Sequence, residues 1–265
     1  MNILITGASG LIGSALAGYL KTTGHHVVVL TRKAGDATQS RYSWNPPSGE
    51  FDIRALREID AIVHLAGENI GAERWTPEVK RRLHESRING TALLVDSISR
   101  LDNRPRVLLS ASAIGYYGDR GGEVLTEESQ PGRGFLSDLC RQWEAEALKA
   151  EVLGMRVVCL RNGMVLSRAG GTLERILPMF RFGLGGTLGS GTQYWSWITL
   201  EDMVRVMVFA LQNDRITGPI NIVSPEPVTN AEFTKTLAQL LHRPALFPAP
   251  APILRLALGE MADQL

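Results

Sequence analysis

Short apolar runs alternate along the chain with longer stretches of helical periodicity. Asn2 to Thr6 (NILIT) reads as a buried strand. Gly7, Gly10 and Gly13 follow at a spacing of three, and Leu11, Ile12, Ala15 and Leu16 open a helix that runs to Thr23 and stops at Gly24. His26 to Thr31 (HVVVLT) is a second apolar, β-branched strand. The alternation continues with strands at Ile59–Leu65, Arg106–Ser110, Val157–Leu160 and Asn221–Val223. Between them lie a helix with Thr76 as N-cap and Pro77 at its first position, a helix over Leu136–Glu151, and a helix capped by Thr199 that runs through Asp202 to Gln212. A last helix spans Thr229 to His242, and the proline-rich stretch Pro244–Pro252 reads as an extended connector before a further helical turn. Residues 34–55 and 121–134 carry loop signals, and Gly170–Gly191 is glycine-rich around the apolar run Ile176–Phe180. Strands alternating with helices predict an α/β fold with a parallel sheet.

The first βαβ unit carries the clearest chemistry. A strand feeding a glycine turn and a helix N-terminus offers backbone N–H groups and a positive dipole end to a pyrophosphate. Gly7 permits the turn, Gly10 lets backbone approach phosphate, and Gly13 lets helix and strand pack closely. The other reading is a tight βα turn without a ligand. At the end of the second strand the chain reads Thr31-Arg32-Lys33, with no acid before Asp36. A carboxylate there would favour NAD(H); two cations favour the 2′-phosphate of NADP(H). The alternative is a solvated turn. Small residues after the third strand, Leu65-Ala66-Gly67-Glu68, let a nucleotide lie against the backbone. His64, among apolar neighbours, reads as a core histidine rather than a catalyst. Arg87, on one helical stripe with Lys80, is expected to reach the cofactor. The cofactor-binding candidates are thus Gly7, Ser9, Gly10, Leu11, Ile12, Gly13, Thr31, Arg32, Leu65, Ala66, Gly67, Glu68, Arg87, Ser110 and Met164. Ser110, Ser112, Tyr116 and Tyr117 lie where an open α/β sheet does chemistry, at a strand's C-terminal end. Tyr194, Trp195 and Trp197 suggest a lid or pocket wall, or else a packed hairpin.

Composition narrows the partners. The 265 residues are 44% hydrophobic and 21% charged, with 28 basic and 27 acidic residues and a net charge of +1. That balance points to neither nucleic acid nor an anionic membrane. Cys140 and Cys159 are too sparse for a disulfide scaffold or a zinc site, so no metal is expected and the thiols read as reduced. No apolar run reaches the ~18 residues of a membrane span. The chain enters a core strand at once, so no signal peptide is expected. A cytoplasmic protein is the simplest inference, with an organelle form lacking its transit peptide as the other.

TGASGLIG at 6–13, HLAGEN at 64–69, SASAIGYYG at 110–118, RNGMVLS at 161–167 and WITLEDM at 197–203 together resemble the extended short-chain dehydrogenase/reductase superfamily. LAGENI followed by RWT, LCRQWE, FRxGLGGTLGSGTQYWSWI and SPEPVTNAEF extend the likeness along nearly the whole chain. They are most similar to its atypical epimerase-family members, often labelled nucleoside-diphosphate-sugar epimerases. The resemblance implies a Rossmann doubly wound parallel sheet binding NADP(H) over 1–166 and 199–223. It also implies a smaller C-terminal substrate-covering region over 167–198 and 224–265, which in related proteins continues past Leu265. The superfamily's Ser, Tyr and Lys are matched only in part. Ser112 stands at the Ser position. Aligning Glu144 with the family's usual helix Glu puts Leu136 in place of Tyr and Cys140 in place of Lys, and no Tyr-x-x-x-Lys occurs in the chain. Ser112, Tyr116 and Tyr117 are therefore the catalytic candidates, with Asp138 or Arg141 as helpers. Cys140, on an apolar stripe, reads as core. The functional expectation is an NADP(H)-binding oxidoreductase or epimerase on an unidentified alcohol, carbonyl or nucleotide-sugar substrate. The alternatives are a dinucleotide-sensing protein acting through a protein partner and, more weakly, a scaffold without ligand. The reading leaves a homodimer open.

Overall fold

The computed structural model describes residues 1–33 and 35–264. Ala34, which opens the predicted loop, and Leu265, which ends the predicted substrate-side region, lie outside the described residues. β1 (Asn2–Thr6), α1 (Leu11–Thr22), β2 (His26–Thr31), β3 (Arg41–Asn45) and β4 (Glu50–Phe51) come first. β5 (Ala61–His64), α2 (Pro77–Ser99), β6 (Val107–Ala113), α3 (Phe135–Leu148) and β7 (Arg156–Asn162) form the middle. Then follow β8 (Met164–Leu166), α4 (Gly171–Arg181), β9 (Tyr194–Trp195), β10 (Trp197–Thr199), α5 (Leu200–Gln212) and β11 (Gly218–Ile222). β12 (Val228–Thr229), α6 (Asn230–Leu241) and α7 (Ala251–Leu258) complete the order.

Eight strands make one sheet in the order β11-β7-β6-β5-β1-β2-β3-β4, parallel except where β4 turns back on β3. From β1 the chain winds one way to β2 and β3, and later the other way from β5 to β6 and β7. Order therefore reverses between β1 and β5, which opens a crevice beyond their C-terminal ends. This is the Rossmann-like arrangement that the resemblance implies, on the parallel sheet expected from the alternating pattern.

The strands are apolar on both faces because both are covered. On one face Ile3, Ile5, Val63, Leu109, Val158 and Leu160 pack under α1 and α5. On the other Leu4, Val28, Ile62, Leu108 and Val157 pack under α2 and α3. Helix starts follow local chemistry. The hydroxyls of Thr76, Thr199 and Thr229 accept the Val79, Asp202 and Glu232 amides, and Glu232 returns a bond to Thr229 N–H in a capping box.

Four expectations need correction. The predicted loop over 34–55 contains β3 and β4, which extend the sheet; their polar, edge-facing residues hide a strand signal. The strand expected over Arg106–Ser110 continues to Ala113, so Ser112 lies inside it. The glycine-rich stretch holds the helix α4, with Pro178 within it. The three aromatic residues form no hairpin: β9 pairs with β12, and β10 pairs with β8. Among the described residues no helix is long and apolar enough to cross a membrane.

Arg156 fastens α5 to the sheet. Its guanidinium donates to the Ala210, Leu211 and Ile216 carbonyls at 3.0, 3.1 and 2.8 Å. These include last-turn carbonyls with no partner within the helix. Arg156→Met, which keeps the stem and removes the donors, is expected to lower unfolding free energy by about 2 kcal/mol, measured by urea denaturation.

Candidate functional site

The crevice between β1 and β5 is built around one close approach. Gly7 has φ +68°, and a Cβ there would sit 2.7 Å from the Leu65 carbonyl carbon. A Cβ on Gly13 would lie 2.3 Å from Gly7 O. Only glycine allows the first turn of α1 to press on β1 and the β5 end at once. Gly10 differs: its Cβ would meet only Gly7 O at 3.4 Å, so packing does not require it. It keeps the helix terminus bare. No side chain caps α1 and no acid lies in its first turn, unlike the threonine-capped α2, α5 and α6. The leading amides of Leu11, Ile12 and Gly13 are thus available to an external acceptor, and this cradle fits a dinucleotide pyrophosphate.

The other candidates lie on the glycine turn, the ends of β2 and β5, and α2, β6 and β8. Ser9 and Gly10 are exposed, and Leu65, Ala66 and Glu68 are half-buried along its far wall with exposed Gly67 between them. Thr31 ends β2, its hydroxyl accepting Lys33 N–H at 3.2 Å. Exposed Arg32 and Lys33 line an open groove with Ser43, Asn45 and Glu50. Met164 is half-buried in β8, its amide bound to Ser196 O. Ser110 is buried on β6, with no hydrogen-bond partner for Oγ among the described residues. Arg87 departs from expectation. Its guanidinium is buried and donates to Leu83 O at 3.1 Å and Glu68 O at 2.9 Å, so it holds main chain instead of reaching outward.

The catalytic candidates meet a buried ion pair that sequence reasoning did not single out. Arg161 (3% exposed) and Glu144 (7%) bind bidentately, Nε to Oε1 at 2.9 Å and Nη2 to Oε2 at 2.8 Å. Ser112 donates its hydroxyl to Glu144 Oε1 at 2.6 Å. Tyr117 accepts from Arg161 Nη1 at 2.9 Å and donates to Asn221 Oδ1 at 2.6 Å. Ser112 and Tyr117, expected as catalytic candidates, are both buried and engaged in the pair's hydrogen bonds. Burial opposes the charge on Arg161, but Glu144 and the Tyr117 hydroxyl carry its pKa upward overall. Tyr116 is half-buried, its ring stacked 3.5 Å from the Arg161 guanidinium carbon. Its hydroxyl makes no hydrogen bond among the described residues. The clue in the sequence was a charge within each apolar pattern, Arg161 closing VVCLR and Glu144 beside Trp143 on the Leu139–Trp143–Ala147 stripe.

Leu136 packs toward Gly115. Cys140 is core as expected: burial, then the nearby Glu144 charge, push its thiol up to about 11, against nucleophilic use. His64 is also core, fully buried between the Thr6 and Thr91 hydroxyls at 2.7 and 3.0 Å.

Two outcomes follow. Glu144→Gln leaves Arg161 buried without its counter-ion and is expected to cost about 3 kcal/mol or more in urea unfolding, against about 1 kcal/mol for Ser112→Ala. Burial holds the His64 pKa down at about 4 from 6.5, so the unfolded chain binds more protons between those values. The stability tied to neutral His64 is complete above pH 6.5 and is lost as pH falls toward 4. Unfolding free energy measured across this window should fall more steeply in the wild type than in His64→Gln.

The family model described as "NAD dependent epimerase/dehydratase family" matches residues 3–223. An epimerase family protein of Mycobacterium leprae is 42% identical over 262 residues, covering 99% of this chain and 84% of the relative. The crystal structure of human epimerase family protein SDR39U1 with NADPH is 33% identical with a TM-score of 0.88, covering 99% of this chain and 88% of that one. The nucleoside-diphosphate sugar epimerase from Corynebacterium glutamicum is 35% identical with a TM-score of 0.80, covering all of this chain and 60% of that one. With most of its length matched in this way, the chain belongs to the NAD dependent epimerase/dehydratase family.

Proposed function

We propose that the protein is an NADP(H)-dependent oxidoreductase or epimerase acting on a substrate with an alcohol or carbonyl, and that Tyr116 moves the proton. The observation that carries this reading is the uncapped glycine turn pressed against the β5 end, with Arg32 at the close of β2. The NADPH in the human relative's structure supports the choice of dinucleotide. Gly7, Gly10 and Gly13 would hold the pyrophosphate through the α1 amides, Arg32 would grip the 2′-phosphate, and Leu65 to Gly67 would line the nucleotide. When bound, NADP(H) exchanges a hydride with the substrate carbon.

The proton then falls to this chain's own residues. Ser112 and Tyr117 serve Glu144, Arg161 and Asn221. Tyr116 keeps a hydroxyl without a hydrogen-bond partner among the described residues, and the Arg161 stack limits its ring to few orientations. On reduction the Tyr116 O–H would donate to the substrate oxygen; on oxidation the same oxygen would take the proton back. The loss of Tyr-x-x-x-Lys favours a second reading, a dinucleotide sensor that acts through a protein partner.

One experiment separates them. NADPH oxidation is followed against a panel of carbonyl compounds and nucleotide sugars, with NADPH affinity measured in parallel. Tyr116→Phe is expected to lower kcat by about 10²- to 10⁴-fold and leave NADPH affinity unchanged. Tight NADPH binding without turnover on any substrate would select the sensor. Arg32→Glu should weaken NADPH by about ten- to a hundredfold and NADH far less. Equal loss for both dinucleotides would overturn the assignment of the 2′-phosphate to Arg32.

A further inference from the structure

The wall of the crevice opposite the glycine turn is four residues of main chain, Leu65 to Glu68, with no secondary structure of its own. Its hydrogen bonds lead into a closed polar circuit within the sheet–helix interface. Leu65 N–H and Ala66 N–H both donate to Thr6 Oγ1, each at 3.1 Å. A hydroxyl has two acceptor positions, and these two amides fill them. The Thr6 O–H must therefore donate to its remaining neighbour, His64 Nδ1 at 2.7 Å. That fixes the imidazole as the neutral form carrying its proton on Nε2.

His64 Nε2–H donates to Thr91 Oγ1 at 3.0 Å, and Trp143 Nε1–H donates to the same oxygen at 3.0 Å. Thr91, its acceptor positions filled, donates to Arg87 O at 2.7 Å. The Trp143 ring lies 5.0 Å from the Arg87 guanidinium carbon. Arg87 then donates to Glu68 O at 2.9 Å, while Ser86 Oγ accepts Glu68 N–H at 3.1 Å. A Cβ on Gly67 would stand 3.2 Å from the Arg87 guanidinium carbon, so the loop rests on this cation. Each hydroxyl and ring nitrogen from Thr6 to Trp143 has one consistent role, and both ends of the circuit finish on the same loop.

We infer that His64, Thr91 and Arg87 are positioning residues that set the Leu65–Glu68 main chain for the dinucleotide through this circuit. The inference rests on the proposed dinucleotide binding at the crevice. It assigns a binding role to residues whose side chains are buried below the ligand surface. A half-formed network of this kind is costlier than an apolar one, so removing a central member is felt at both ends.

The central member is Thr91, and Thr91→Val keeps its shape while removing both acceptor and donor. NADPH dissociation constants are measured by fluorescence for the wild type, Thr91→Val, Thr91→Ser and Ile98→Val, alongside thermal unfolding. Ile98→Val is a control for stability alone, in the same helix but outside the circuit. Thr91→Val should weaken NADPH about tenfold, Thr91→Ser should restore it to within about twofold, and Ile98→Val should leave it unchanged. Nitrogen NMR of histidine-labelled wild-type protein, which requires no variant to fold, should show His64 protonated on Nε2 and bare on Nδ1. A proton on Nδ1, or wild-type affinity in Thr91→Val, would overturn the circuit. A wild type that does not bind NADPH would instead overturn the dinucleotide reading on which the circuit depends.

Discussion

The buried pair of Glu144 and Arg161 constrains everything around it. Two charges removed from water cost several kcal/mol each unless every remaining donor and acceptor is met. Arg161 has five N–H donors, and the fold supplies both Glu144 oxygens, the Tyr117 hydroxyl and the Glu127 carbonyl as acceptors. The Tyr116 ring covers the guanidinium face. Ser112 brings a further donor to the carboxylate. Satisfying the pair thus draws in β6, β7, α3, the turn after β6 and, through Asn221, β11. The hydroxyls at the strand ends are part of the electrostatic support of the core before they are part of any chemistry.

The sheet makes this support regular. Thr6, His64, Ser110 and Cys159 stand at one register across β1, β5, β6 and β7. Ser112, Arg161 and Asn221 stand at the next level across β6, β7 and β11. Below these two rows the strands are aliphatic on the α2/α3 face. Successive side chains alternate faces, so a strand that is apolar for most of its length can still end in polar groups on one side. The first row begins at the crevice between β1 and β5 where strand order reverses, and the second continues away from it toward the β11 edge.

What could be read from the chain alone was what depends on near neighbours. Gly7, Gly10 and Gly13 bracket a turn of seven residues, and the threonine caps at 76, 199 and 229 act within three residues. The strands β1, β2 and β5 are continuous apolar runs. His64 and Cys140 were legible as core from their apolar surroundings. β3 and the edge strand β4 were not, since polar residues interrupt both. Helix α4 was hidden by its glycines and Pro178. The engagement of Ser112 was hidden for another reason. Its partner lies 32 residues away and Arg161 a further 17 beyond that partner, so only the sheet register brings the three together.

Leu136 and Cys140 are the residues that the resemblance sets at the Tyr and Lys positions. Cys140 sits buried between the Arg87 cation and Glu144, and Leu136 rests on Gly115. A lysine at 140 would bring a long stem and a third cation into a space already filled at close-packed density. It would also stand near Glu144, whose two oxygens already bind Arg161 and Ser112. The small neutral thiol at 140 therefore suits a position beside two charges that are already committed to other partners.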